Sequence, residues 1–139
     1  MKVISIKEPF ATLIKDKFKK IETRSFKTNY RGEIYIHVSG KTFAKEFLNN
    51  KYVIELSKNI TPSYGYIICK ANLIDCIYMD EEFLAKIKKD KQEYNLGLYE
   101  KGRYAWILSD IKPIKPIKAK GKLNIWNYEG ENKWKNINT

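Results

Sequence analysis

Histidine and cysteine, which supply many metal ligands and catalytic groups, are scarce in this chain. His37 is the only histidine, and the two cysteines are Cys69 and Cys76. No paired Cys or His spacing of a metal site is present, nor a glycine-rich phosphate loop, nor a serine-nucleophile elbow. We therefore expect no metal and no cofactor, and a histidine-based acid–base mechanism has His37 as its single candidate. Both cysteines fall in one predicted strand, far beyond the ~7 Å that a disulfide tolerates, so we expect reduced thiols.

Long apolar runs are missing as well. No stretch approaches the ~20 apolar residues that a membrane-spanning helix needs, and the first residues, from Met1 to Lys7, lack the apolar region of a signal peptide. We expect a cytoplasmic protein without a membrane partner. The 139 residues leave room for one core of ordinary size, so we predict a single domain over residues 1–128 and a polar tail over residues 129–139.

Acidic residues are outnumbered by basic ones. There are 16 Asp and Glu against 27 Lys and Arg, which gives a net charge of +11. A field of that sign favours phosphate-rich partners. However, 24 of the basic residues are lysines in a chain also rich in Ile and Asn, a bias that AT-rich coding produces too. The three arginines, Arg24, Arg31 and Arg103, are more informative, because a planar guanidinium can hold a carboxylate or a phosphate through two hydrogen bonds.

Alternating and β-branched segments predict strands separated by helices. The strands are expected at residues 3–6, 20–26, 33–39, 64–79, 104–111 and 123–128, with residues 64–79 forming either one strand or a bent pair of strands. One helix is expected over residues 8–18, directly after the first strand, an interrupted one within residues 41–58, and a third begins after the capping residue Asp80. Pro113 and Pro116 predict a stiff segment that crosses between strands. Because strands and helices do not alternate regularly, the pattern indicates a mixed barrel or another α+β fold.

Three charged residues stand close together in the sequence around the second strand. Glu22 and Arg24 are two apart, so their side chains point to the same side of a strand, and Lys19 lies at the entry to that strand. The three heads could converge on one point of a cleft. The alternative is an exposed strand face whose ion pairs are worth ~0 to 1 kcal/mol.

Five segments carry a resemblance to a known family. They are Ile4-Ser5-Ile6-Lys7-Glu8-Pro9-Phe10-Ala11, Lys19-x-x-Glu22-x-Arg24, Asn29-Tyr30-Arg31-Gly32 ahead of a strand ending in His37-Val38-Ser39, Gly102-Arg103-Tyr104-Ala105-Trp106, and Lys120-Gly121-Lys122-Leu123-Asn124-Ile125-Trp126. In this order they resemble an ASCH domain, of the PUA-like group, over about residues 3–128. The family signature is usually written Gly-x-Lys-x-x-Glu-x-Arg, and this chain has Lys17 in place of Gly. It also has Glu8-Pro9-Phe10 where Gln-Pro-Trp is common, which places an acid near the expected cleft mouth.

The resemblance implies an α+β fold: a PUA-like mixed barrel of about five to six strands, with a helix after the first strand and further helices packed outside. It also implies a polar cleft between the first helix and the barrel, onto which Lys19, Glu22 and Arg24 point. Such domains are associated with RNA. Some relatives are hydrolases that remove the acetyl group of N4-acetylcytidine, and others are ribonucleases. In the deacetylating kind the position of Glu22 is a threonine nucleophile, and Thr23 should face the other way, so that activity carries over poorly.

Three functions remain open at this stage. As an RNA- or nucleotide-binding module, the chain would use Lys7, Lys19, Arg24, Arg31, Ser39 and Arg103 for phosphate or base contacts and Tyr104 as a stacking face, while Glu22 orients Arg24 or accepts from a base amino group. As a metal-independent hydrolase, it would use Glu22 as general base and Lys19 as acid or electrostatic stabiliser. As an interaction domain, its basic surface would dock an acidic protein. The sequence predicts no oligomeric state.

Overall fold

Six strands form one mixed sheet in the computed structural model, which describes residues 1–47 and 49–130. The strands are β1 (Lys2–Glu8), β2 (Ile21–Arg24), β3 (Gly32–Phe43), β4 (Tyr66–Tyr78), β5 (Tyr104–Lys118) and β6 (Ile125–Asn127). Their order is β2-β5-β4-β3-β1-β6, with β1 parallel to β3 and the other neighbouring pairs antiparallel. The α-helices of the described residues are α1 (Phe10–Lys15), α2 (Lys51–Ser57), α3 (Glu81–Ile87) and α4 (Lys91–Asn95). The predicted α+β fold, with a helix directly after the first strand, is confirmed.

The sheet is not closed by strand pairing. Its edge strands are β2 and β6, and no ladder joins them within residues 1–47 and 49–130. Arg24, at the end of β2, donates from Nη2 to the carbonyl oxygen of Ser5 in β1 over 2.8 Å. One side chain therefore links β2 to β1 on the open side of the barrel.

The apolar face predicted for the third strand lies in the core. Ile34, Ile36 and Val38 in β3 have no exposed surface, and Leu13 and Ile14 of α1 belong to the same buried cluster. Fully burying a side chain of this size is worth about 1.5–3 kcal/mol relative to leaving it exposed. The packing of α1 against the sheet fixes where the chain leaves the helix towards Lys19.

The turn after α1 keeps the shape that a glycine would give it. Lys17, at the position where the family signature has Gly, adopts a left-handed backbone with φ of 68°. The amide of Lys19 donates to the carbonyl oxygen of Leu13 over 3.1 Å, which holds the turn against α1. The substitution of lysine for glycine therefore leaves Lys19 in place, at the cost of a conformation that non-glycine residues disfavour.

The prediction that Pro113 and Pro116 lie in a crossing segment is wrong. β5 continues to Lys118, and both prolines lie in it where its register with β4 shifts, between the pairs Ile67↔Ile117 and Cys69↔Pro113. At such an irregularity the strand does not need every amide donor, so proline is tolerated there. The segment that crosses to β6 is residues 119–124, called the closing segment below.

The helix predicted within residues 41–58 is shorter than expected. Thr42 and Phe43 extend β3, a 3₁₀ turn covers Lys45–Phe47, and α2 begins only at Lys51 because the side chain of Asn50 caps it by accepting from the amides of Tyr52 and Val53. Leu48, which contributed to the helical pattern, lies outside the described residues, as do residues 131–139 of the predicted tail. The short helix α4 was not predicted at all.

Two further observations bear on the expectations from composition. Neither cysteine is in a disulfide, and burial raises the pKa of the Cys69 thiol to about 12. Among the described residues, no helix has the length and apolar character needed to span a membrane.

Glu8 does not lie at the mouth of the cleft, as its substitution for glutamine had suggested. It has no exposed surface, and its carboxylate accepts from the amide of Thr12 over 2.8 Å and from the Thr12 hydroxyl over 2.5 Å. Burial raises the pKa of Glu8, while the bonds from Thr12 and the charge of Lys15 oppose that increase. Glu8 therefore bonds to the first turn of α1, and burial of its charge lowers the free energy of unfolding.

Replacing Glu8 by glutamine is expected to stabilise the protein at neutral pH. Because the folded-state pKa lies above the ordinary value of 4.5, the stability that protonated Glu8 contributes is complete below pH 4.5 and is lost as pH rises through the folded-state pKa. Glu8→Gln cannot ionise, so its free energy of unfolding should exceed that of the wild type by on the order of 1 kcal/mol at about pH 7.5 and match it at about pH 4. Urea denaturation at both pH values measures this, with the exposed Glu55→Gln as control. A difference that does not change with pH would contradict the assignment.

Candidate ligand-binding cleft

A cleft of about 990 Å³ opens where β1, β2 and β3 face the closing segment. Six of the eight site residues predicted from the sequence line it: Lys7, Lys19, Glu22, Arg24, Ser39 and Arg103. Pockets for small molecules and cofactors have volumes of about 300–1,000 Å³ and hold a few convergent polar groups. The cleft has the size and lining of such a site.

Glu22 and Arg24 form an ion pair at the wall of the cleft. The Nε of Arg24 lies 3.0 Å from Oε2 of Glu22, and the side chains are 22% and 12% exposed, respectively. The guanidinium also lies 6.0 Å from the centre of the Trp106 ring. Since the same guanidinium donates to Ser5, its plane is fixed by three neighbours. The predicted convergence of these two side chains is therefore present, in a partly buried setting instead of an exposed strand face.

Lys19 is buried at the inner end of the cleft. The residue is 1% exposed. Its Nζ donates to the carbonyl oxygen of Leu96 over 2.6 Å and lies 5.6 Å from the centre of the Phe10 ring. Burial lowers the pKa of Lys19, while the carboxylates of Glu22 and Glu93 act in the opposite direction. A buried amine with a perturbed pKa in a cleft is typical of functional sites, although structural ion pairs also produce it.

Glu93 was not found from the sequence. It is 6% exposed, its Oε1 accepts from the amide of Lys20 over 2.7 Å, and its Oε2 has no hydrogen-bond partner among the described residues. Burial raises its pKa, and the charge of Lys19 opposes that increase. A glutamate in a Lys-rich segment looks solvated, but the spacing Asp90-x-x-Glu93 is that of a capping box and was a usable signal for α4.

His37 ties the closing segment to the sheet. Its Nε2 lies 2.8 Å from the carbonyl oxygen of Ala119, and because a carbonyl only accepts, Nε2 carries the proton. Nδ1 then accepts from the hydroxyl of Ser5 over 3.0 Å, and that hydroxyl accepts from Nε1 of Trp126 over 3.1 Å. Burial lowers the pKa of His37, which favours this neutral form. Both ring nitrogens are engaged in holding the wall of the cleft.

Gly121 packs directly on this network. A Cβ atom at this position would lie 2.7 Å from Cε1 of His37 and 3.0 Å from Oγ of Ser5. The first distance is shorter than side-chain carbons adopt and the second is tight, so the closing segment approaches the sheet this closely because residue 121 has no side chain. The sequence showed the glycine, but only the fold shows what it touches.

Arg103 and Phe26 stand at the outer part of the cleft. Arg103 donates from Nε to the carbonyl oxygen of Leu98 over 3.1 Å and from Nη2 to that of Thr23 over 3.4 Å. Phe26 is 37% exposed and meets the ring of Trp106 edge-on, with 5.7 Å between centroids. An exposed ring held by a buried one offers a face for stacking.

Two of the predicted site residues lie outside the cleft. Arg31 donates to the carbonyl oxygens of Thr28 and Tyr30 and lies 3.7 Å from Asp75, so it stabilises its own turn. Tyr104 pairs with Arg24 across β2 and β5, and its ring packs edge-on against Tyr78. Neither residue lines the cleft, and their roles in ligand binding stay predictions.

Comparisons with known proteins indicate a single family. A family model described as the ASCH domain matches residues 4–118. The chain is similar to the crystal structure of ASCH from Zymomonas mobilis, with 18% identity, a TM-score of 0.60, and coverage of 99% of this chain and 93% of that chain. Two mutants of the same Zymomonas mobilis protein, one Tyr-to-Phe and one Ser-to-Ala, each align at 18% identity with a TM-score of 0.56, covering 99% of this chain and 96% and 94% of theirs. No curated protein matches the chain. At this level of identity, the structural likeness shows the fold.

Proposed function

The chain belongs to the ASCH domain family, and from that membership we propose that it binds RNA or a nucleotide-like ligand in the cleft around Lys19, Glu22 and Arg24. The observation that carries the proposal is the convergence of a cation-rich set of side chains on one pocket of nucleotide size. Lys7, Arg24 and Arg103 bring positive charge to it, and Glu22 brings one carboxylate. This composition suits a ligand with a phosphate and a base.

Each side chain has a contact that its chemistry favours. The guanidinium groups of Arg24 and Arg103 suit a phosphate or the acceptor edge of a base, because two parallel N–H groups match two acceptors. Glu22 suits a base amino group, since a carboxylate only accepts. Ser39, half-buried beside Lys7 in the parallel pairing of β1 with β3, adds a hydroxyl that both donates and accepts.

Equilibrium binding with a competitor tests the proposal. A fluorescent single-stranded RNA is titrated with the protein, and 5′-mononucleotides and nucleosides are then added to displace it. We expect one-site binding and displacement by at least one mononucleotide, because both would fill the same cleft. RNA binding that no mononucleotide displaces, with double-stranded RNA bound equally well, would contradict a cleft site.

Phe26 is expected to stack on a base of the ligand. Stacking on an aromatic side chain is worth ~1–3 kcal/mol per base, so Phe26→Ala should weaken binding about tenfold or more. Phe26→Tyr should retain most of the affinity, because its ring presents the same face. Titrating the fluorescent RNA with the wild type and with each of the two variants measures the three affinities.

Tyr104→Ala is the matched control for this change. Tyr104 was the stacking candidate of the sequence, yet its ring packs against Tyr78 away from the cleft. Its replacement should leave the affinity close to that of the wild type. A larger loss in Tyr104→Ala than in Phe26→Ala would reverse the assignment.

The burial of Lys19 in the cleft supports a second candidate function, that of a metal-independent hydrolase acting on RNA or a modified nucleoside. Burial lowers the pKa of Lys19, which makes its ammonium a better proton donor near neutral pH. Glu22 lines the same cleft and would take the proton of an attacking water while Lys19 donates to the leaving group. Single-turnover incubation with RNAs and N4-acetylcytidine in EDTA tests this. Product that is lost in Glu22→Gln supports the hydrolase, and binding without product in the wild type excludes it for the substrates used.

A further inference from the structure

A repeated tripeptide runs along the second half of β5. Residues 111–118 read Ile-Lys-Pro-Ile-Lys-Pro-Ile-Lys, and no acidic residue occurs between Asp110 and Glu129. Ile111 is buried, and Ile114 and Ile117 pack against the small cluster around Val3, Ile67 and Trp126. The lysines that follow them, Lys112, Lys115 and Lys118, are all exposed. The repeat therefore anchors one set of side chains in the core and presents the other to solvent.

Among the described residues, these lysines form no ion pair with a carboxylate. Elsewhere, Lys15, Arg24, Arg31, Lys58, Lys70, Lys86 and Lys101 all lie within 4.0 Å of a carboxylate. No such ion pair involves Lys112, Lys115, Lys118, Lys120 or Lys122 in the part of the chain that the structure describes. Their charges are therefore uncompensated locally, and the positive potential along this strand is available to a ligand.

The row of lysines leads into the cleft. Lys118 is followed by the closing segment, in which Lys120 and Lys122 both line the cleft. Lys112 pairs with Lys70 of β4 and Lys118 pairs with Tyr66, so these six steps of β5 lie opposite only four steps of β4. At ~3.3 Å per residue of β4, the stretch spans roughly 13 Å, enough for about two or three phosphates of an extended strand. The cleft thus sits at one end of a continuous basic track, defined here as Lys112, Lys115, Lys118, Lys120 and Lys122.

We propose that this basic track binds the phosphates of a single-stranded nucleic acid, one nucleotide of which occupies the cleft. The inference rests on the proposed function and extends it from a nucleotide to a polynucleotide. A base that enters the cleft must be unstacked, which favours a single strand over a duplex. Lysines suit the phosphates of a flexible strand, because an ammonium on a long stem is a point charge without directional demands.

The test compares two triple variants of equal charge. Lys112, Lys115 and Lys118 are replaced by glutamine in one, and the exposed Lys86, Lys88 and Lys89 at the end of α3 in the other. Binding of an oligouridylate of about twelve nucleotides and of uridine 5′-monophosphate is measured across a salt series. Each removed phosphate contact lowers the salt slope by about 0.7 for a single strand. We expect the track variant to lose about tenfold in oligonucleotide affinity and about 2 in slope, to keep its mononucleotide affinity, and to melt near the wild-type temperature. The α3 variant should bind both ligands almost as the wild type does.

Three results would overturn the track. The first is an equal loss of oligonucleotide affinity in the two variants, and the second is an unchanged salt slope in the track variant. The third is displacement of the oligonucleotide by polyglutamate as effectively as by unlabelled RNA, which would identify a surface for acidic proteins. Failure of the proposed function has a different signature, since mononucleotide affinity would then be unaffected by Arg24→Ala. Loss of mononucleotide binding in Arg24→Ala, together with an unchanged salt slope in the track variant, would support the cleft as the ligand site and contradict the role of the basic track.

Discussion

Arg24→Ala is expected to weaken binding of the cleft ligand about a hundredfold or more. Hydrogen bonds from a charged donor are worth ~1.5–3 kcal/mol each, and the guanidinium suits two of them at once. The change also leaves Glu22 without its partner at 3.0 Å, so an unpaired carboxylate would face an anionic ligand. Isothermal titration with a mononucleotide measures the loss.

The three arginines of the chain supply the controls. Arg31→Ala removes the same charge from an exposed turn. It should leave the affinity unchanged, because Arg31 lies outside the cleft and, among the described residues, bonds to its own turn and to Asp75. Arg24→Lys retains the charge without the planar fork and should fall between the wild type and Arg24→Ala. Equal losses in Arg24→Ala and Arg31→Ala would mean that net charge, and not the cleft, governs binding.

Arg24 also stabilises the fold, and Arg24→Ala tests this contribution. Its Nη2 bond to the Ser5 carbonyl is the link observed between β2 and β1. Losing a charge-assisted bond of this kind should lower the free energy of unfolding of Arg24→Ala by ~1–3 kcal/mol. Titrations must therefore be made at a temperature where the variant is folded, as judged by circular dichroism.

Gly121→Ala is expected to displace the closing segment from the sheet. The new Cβ would lie 2.7 Å from Cε1 of His37, whose ring is held between Ala119 and Ser5 and has little room to move. Overpacking of this kind costs ~1–3 kcal/mol, so the midpoint of urea unfolding should fall accordingly. Affinity should fall as well, because Lys120 and Lys122 flank the displaced residue.

A double-mutant cycle separates this contact from other effects of adding a methyl group. In a His37→Ala background the obstructing ring is gone, and Gly121→Ala should cost less than it does in the wild type, with a coupling of ~0.5–3 kcal/mol. Gly40→Ala is a useful comparison, since a Cβ there meets nothing within 4 Å and only the backbone, with φ of 79°, is strained. Additive losses in the cycle would show that the His37 contact does not limit residue 121.

Local patterns in the sequence were enough to predict the position of each strand and the start of one helix, but not the extension of β3 to Phe43 or of β5 to Lys118. The alternation of Ile34, Ile36 and Val38 identified a core face, since only one side of that strand can be apolar. Asp80 followed by acids and then lysines predicted α3, and its side chain does accept from the amide of Phe83. These features depend on neighbours in sequence, which a single chain displays directly.

Features that depend on distant residues could not be predicted in the same way. The burial of Glu93 against Lys20 joins segments 73 positions apart, and the bond of His37 to Ala119 spans 82. Arg31 and Tyr104 looked equivalent to Arg24 and Phe26 by residue type. Only the fold shows that Arg31 bonds within its own turn and that the Tyr104 ring packs against Tyr78, outside the cleft. The prolines of β5 led to a wrong prediction because the register shift that accommodates them arises only when β5 pairs with β4.

The most direct test of the account is to map a bound ligand onto the chain by NMR. Adding uridine 5′-monophosphate or a short single-stranded RNA to ¹⁵N-labelled protein should shift the amide signals of Arg24, Gly97 and Gly121, which line the cleft. With the RNA, the signals of Lys115 and Lys118 should shift as well. Shifts that concentrate instead on α3, or that leave Arg24 and Gly121 unchanged at saturation, would contradict the claim that the cleft is the ligand site.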